Sequence, residues 1–167
     1  MKKNNLVTTA LSFTRSKNLD NIYLGEWCFD YNDSEKNNPE NIIIDYHSSD
    51  IKKRVTDEAN TNKIYENLLN KIHNVLNEFH KTNYSIDFWR VQLNPFLFSV
   101  TNLIFDRWES IRIVNEKYKN LTSKEFKIDE SKMVPFSGQH FKQGVCHEDI
   151  WNYYIFLNII KEFNIET

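Results

Sequence analysis

The chain has 167 residues, 40% hydrophobic and 26% charged, with only 3 Gly and 3 Pro, which excludes collagen-like, low-complexity and wholly disordered classes and fits one globular domain. Lys and Arg number 21 against 23 Asp and Glu, a formal charge of -2, so no global basic field attracts nucleic acid or anionic lipid, and phosphate recognition must be local. Folding at this length buries roughly two-thirds of the surface an unfolded chain exposes, and 12 Phe, 8 Tyr and 4 Trp supply large side chains for it without a disulfide.

The basic start at Met1, Lys2 and Lys3 is followed by an apolar run too short for a signal peptide. Residues 6–9 form a short β-prone run, and Ile22, Tyr23 and Leu24 form a second one ending at Gly25. The 12 residues between Thr9 and Ile22 leave room for a short helix or irregular crossover, so the two strands are expected to pair in parallel. Residues 30–40 are dense in Asn and Asp and read as an exposed loop closed by Pro39; residues 41–45, with three consecutive Ile, are a third strand candidate.

From Asn62 the period changes. Tyr65, Leu68, Leu69, Ile72, Val75, Leu76 and Phe79 recur at steps of three and four, the stripe of an amphipathic helix ending near His80. Ile51 and Val55 extend it upstream behind Ser49 or Asp50 as N-cap, with a break possible near Thr61. Asp87 can cap a turn carrying Phe88, Trp89 and Val91, and Asn94 before Pro95 predicts a kink or a restart. Residues 96–105 read as a buried helix, too short and too polar to cross a membrane, with Trp89, Leu97, Val100 and Ile104 in the core. Residues 126–128 read as a short strand, residues 135–144 as a loop, and residues 148–163 as a last helix with Trp151, Ile155, Ile159 and Phe163 at four-residue spacing. Cys28 and Cys146 lie far apart and read as reduced thiols, which places the chain in the cytoplasm.

Glu26 and Trp27 stand just past the second strand candidate, where open α/β sheets bind ligands. A carboxylate beside an indole is partly desolvated and suits a general base or acid; the competing reading is a cap or a loop carboxylate that accepts backbone bonds. Trp89 and Arg90 could clamp a planar or phosphorylated ligand, or Trp89 could be core and Arg90 the partner of an acid such as Asp87 or Asp106. Arg107 is a further candidate on a helix that also carries Asp106 and Glu109. Cys146, His147, Glu148 and Asp149 are adjacent and cannot converge on one ion, so no metal site is expected, and Asp149 reads instead as the cap of the last helix, presenting Trp151 and Asn152 inward. No glycine-rich phosphate loop or nucleophile elbow is present.

Leu6-Val7-Thr8-Thr9-Ala10, then Ile22-Tyr23-Leu24-Gly25-Glu26-Trp27-Cys28, Leu76-Asn77 with His80, Tyr84-Ser85, Phe88-Trp89-Arg90 and Asn94-Pro95 occur in the order of a known family. Together with Asp149 and Trp151-Asn152, they make the chain resemble the N-terminal part of a bacterial transferase family first defined in leptospiral O-antigen and surface-polysaccharide loci. Asn94 stands where that pattern has Gly, and Phe96 where it has Trp.

The resemblance implies an α/β fold, a small, mostly parallel sheet packed with long helices, similar to the N-terminal half of a two-domain GT-B-like transferase. It implies one domain over residues 1–167, an acceptor-side portion of a longer, truncated or split protein, inactive alone. Glu26 is then the base, with Trp27, His80, Trp89, Arg90 and Arg107 as substrate-binding residues, and Glu26 and Arg90 expected on one cleft. The partners implied are a sugar or phosphosugar acceptor and a missing C-terminal domain or complementary chain, with no nucleic acid. No cofactor is expected; the sugar-nucleotide donor belongs to the complete protein. The rival reading is a non-catalytic helical interaction domain that docks a partner chain.

Overall fold

Leu6 and Val7 are fully buried because β1 (Asn4–Val7) is an interior strand, flanked on both sides and covered on both faces. The computed structural model describes residues 3–167; Met1 and Lys2, the first residues of the basic start, lie outside them. β1 pairs in parallel with β2 (Asp20–Tyr23), β2 with β3 (Ile42–Ile43) and, on the other side, β1 with β4 (Leu121–Thr122), giving the order β3-β2-β1-β4. The register sets Leu6 against Ile22 and Ile22 against Ile42. The crossover from β1 to β2 holds one 3-10 turn, Ser12–Thr14, and is pinned by the buried Asn5, whose amide donates to the Thr14 carbonyl (3.0 Å) and to Asn21 Oδ1 (2.8 Å).

Contacts divide the chain into two compact units: the described residues up to His47 with Arg107–Thr167, and Ser48–Asp106. The first holds the sheet, α3 (Gly138–His147) and α4 (Asp149–Glu162), with Ile111 and Val114 from the end of α2 (Ile86–Lys117) packing into its core beside Phe156 and Ile160. Two elements differ from expectation here. Residues 126–128 are irregular, and the fourth strand is Leu121–Thr122. Phe126 instead donates its N–H to the Tyr153 hydroxyl (2.8 Å) and sets its exposed ring against Phe13 (4.4 Å). Of residues 135–144, expected as loop, residues 138–144 are helical and belong to α3: Ser137 caps it through the His140 N–H (3.1 Å), and Gly144 is there for packing, since a Cβ on it would lie 2.6 Å from the Trp151 indole.

The second unit holds α1 (Ile51–His80) and α2 as far as Asp106. Asp50 caps α1 through the Lys52 N–H (2.8 Å), and no break occurs at Thr61, whose hydroxyl turns back onto the Asp57 carbonyl (2.7 Å). α2 also runs through Pro95 without a restart. Its first turn is capped by Ser85, not Asp87: the Ser85 hydroxyl accepts from the Phe88 N–H (3.3 Å). The core is Tyr65, Leu69, Trp89 and Leu97, walled by Ile72, Leu76, Ile86 and Leu93. Residues 96–105 are not a buried helix: Leu97 and Thr101 are buried, Val100 is half-buried, and Phe96, Phe98 and Ile104 are exposed. Among the described residues no helix is long and apolar enough to cross a membrane.

Candidate functional site

Parallel strands aim their carboxyl ends at one edge, so the loops that leave them converge there. The ladder runs one residue beyond the strands, with Leu24 N–H on the Val7 carbonyl and Ile44 N–H on the Tyr23 carbonyl, each 2.9 Å. The loops that follow carry Thr8 and Thr9, then Gly25, Glu26 and Trp27, then Asp45, Tyr46 and His47.

Glu26 opens a 3-10 turn, Glu26–Cys28, and its side chain is exposed. Trp27 folds back over Gly25, where a Cβ would stand 2.2 Å from the ring, and its indole N–H donates to the Thr8 carbonyl (3.1 Å). Tyr46 meets that indole edge-on (5.9 Å, 88°), and His47 stands against Tyr46 (4.9 Å). Cys28 is buried beneath the turn, its thiol donating to the Val7 carbonyl (3.3 Å), and burial pushes that thiol up to about 12. Arg15 donates to the Cys28 carbonyl (3.0 Å) and pairs with Asp33, whose carboxyl it holds below the usual range.

The carboxyl that burial raises is Asp149. Desolvation acts first and the charge of Asp30 second, against one bond accepted from the Ala10 N–H. Asp149 therefore does not serve as the expected cap. Glu148 holds the cap position of α4, Asp149 is the first helical residue, and its carboxylate ties that helix to the loop after β1. Arg107 donates to Asn152 Oδ1 (3.0 Å), lies over the Phe156 ring (5.8 Å), and Asn152 in turn donates to the Val145 carbonyl (2.9 Å).

His80, Trp89 and Arg90 belong to the other unit, at the turn between α1 and α2. Arg90 makes a two-pronged bond to Glu66 (2.5 and 3.0 Å), with Asp87 at 3.6 Å, so its acid partner comes from α1 and the nearer helical one is secondary. His80 stacks on Trp89 (5.8 Å, 27°). The organiser of the turn is Asn77: its Oδ1 accepts from Thr82 Oγ1, the Tyr84 N–H and Trp89 Nε1, each 3.0 Å, and its amide donates to the Tyr84 carbonyl (2.9 Å). Lys81 takes the left-handed conformation (φ 54°) that ends α1.

Of the residues singled out from sequence, the structure joins Trp27 to the sheet's carboxyl edge beside Glu26 and joins His80 to Trp89, while Glu26 and Arg90 belong to different units. Tyr46 and His47 were missed. Both follow the third apolar run, and the reasoning that selected Glu26 past the second strand selects them equally.

The fold and its edge define an α/β protein whose loops leave the carboxyl ends of a parallel sheet together. Within that class, the model of the LIC12162 family transferases matches residues 4–167, and the chain belongs to this family. No curated protein and no solved structure matches it.

Proposed function

We propose that this protein is the acceptor side of a glycosyltransferase-like, GT-B-type transferase of bacterial surface-polysaccharide (O-antigen) assembly, acting on a sugar or phosphosugar acceptor. The supporting observation is the Glu26–Trp27 turn at the carboxyl edge of an all-parallel sheet, an exposed acid beside a fixed indole, in a chain of the transferase family. Glu26 takes the proton of the acceptor hydroxyl, and Trp27 holds the ring that carries it. Trp89, His80, Arg90 and Arg107 contribute to substrate binding, the two arginines toward phosphate or sugar oxygens. A donor sugar nucleotide is handled outside residues 1–167, which work in the cytoplasm with a C-terminal domain or complementary chain.

The test is genetic and electrophoretic. Deleting the gene should change the surface-polysaccharide ladder, the wild-type copy should restore it, and Glu26→Gln, expressed at equal level, should not. An unchanged ladder on deletion would overturn the reading.

A second reading, a helical docking domain, is favoured by α1, which leaves Ile51, Val55, Val75 and Phe79 exposed. It predicts a stable complex with a partner chain in sedimentation and an intact ladder in Glu26→Gln.

A further inference from the structure

Exposed tryptophan is ordinarily mobile, and a ligand that stacks on it must first order it. Trp27 is ordered in advance. The Thr8 carbonyl takes its N–H at 3.1 Å, the ring lies over Gly25 where any side chain would collide with it, and Tyr46 closes on it edge-to-face. With these contacts made, Trp27 as a residue is still 41% exposed and Tyr46 42%. Two perpendicular rings, one from the loop after β2 and one from the loop after β3, leave a right-angled apolar corner, with His47 continuing the second wall.

The charge around the corner selects the ligand. Residues 24–30 and 44–47 contain Glu26, Asp30 and Asp45 and no Lys or Arg. The nearby Arg15 is engaged by Asp33, Glu35 and the Cys28 carbonyl. A phosphate brought here meets carboxylates, whereas a neutral polyhydroxylated ring lays its C–H face on the aromatic walls and donates its hydroxyls to those acids.

We propose that Trp27, Tyr46 and His47 form a preorganised subsite that stacks a neutral sugar ring at the carboxyl edge of the sheet. The subsite rests on the sugar-acceptor reading above and narrows it: an acceptor's uncharged ring sits here, and any phosphate it carries lies away from the corner.

Indole N–H resonances of the full chain, with the Trp27 signal identified through Trp27→Phe, report on it directly. Methyl glycosides of hexoses and N-acetylhexosamines at millimolar concentration should shift the Trp27 signal and leave that of Trp151 in place, and hexose 1-phosphates should bind more weakly. Tyr46→Ala should weaken the glycosides by about threefold to tenfold, with the unmoved Trp151 signal certifying the fold, and Tyr31→Ala, a fully exposed tyrosine, should not. A Trp27 signal that no glycoside shifts, glycoside affinity indifferent to Tyr46→Ala, or tighter binding of the phosphates would overturn the subsite. A polysaccharide defect on gene deletion would in each case leave the sugar-acceptor reading standing.

Discussion

Cys28 shows how burial alone sets a residue's chemistry. It is inaccessible and its thiol is pushed up to about 12, whereas Cys146 is exposed. A thiol reagent at neutral pH should therefore label Cys146 at once and Cys28 only on unfolding, since the thiolate is the reactive form; rapid labelling of both would mean that the turn over Cys28 opens readily. The pH dependence follows in sign. Between the ordinary thiol range and about 12, the unfolded chain releases a proton that the folded chain keeps, so stability falls as pH rises through that window. Cys28→Ala should flatten the slope of stability against pH there, as measured by urea melts.

At the scale of elements, the paired helices depend on one amide and tolerate one proline. Asn77→Ala strips partners from the Thr82 hydroxyl, the Tyr84 N–H and the buried Trp89 indole together, and should cost about 1–3 kcal/mol in urea melts. A loss below experimental error would show that water replaces the amide. Pro95 leaves the Val91 carbonyl without its helical donor, but both residues are exposed and water can take that carbonyl. Pro95→Ala should therefore stabilise the protein by about 1–3 kcal/mol. A destabilised variant would show that the proline shapes the helix.

Across the whole molecule, burial is less evenly spread than the apolar pattern suggests. Ile104 reads as core from sequence, with an expected loss of about 2–5 kcal/mol on truncation to Ala, yet it is 39% exposed. Its Ala variant should lose under about 1 kcal/mol. Leu69 is fully buried between Tyr65, Trp89 and Leu97, and Leu69→Ala should lose about 2–5 kcal/mol. Equal losses at the two positions, measured side by side by denaturant melts, would show that Ile104 is as central as Leu69.

Parallel pairing of the first two strands, the edge strand at Ile42–Ile43, the long helix ending at His80 and the closing helix through Trp151 were legible in residue order, because apolar periodicity and crossover length are local properties of a chain. So was the prominence of Glu26 and Trp27, which follows from their place just past a strand. Position alone could not show which group holds each side chain. Trp89 and Arg90 stand out in sequence much as Trp27 does, and only the fold shows that Asn77 takes the Trp89 indole, Glu66 takes Arg90 and the Thr8 carbonyl takes the Trp27 indole. Proline and glycine concealed α3, since Gly144 is required by an indole seven residues away and not by a turn. The meeting of Tyr46 with Trp27, the tie from Asp149 to the loop after β1, and the choice of Leu121–Thr122 as fourth strand were decided only by tertiary structure. Each joins segments remote in sequence, and a contact of that kind exists only once the parallel sheet has assembled.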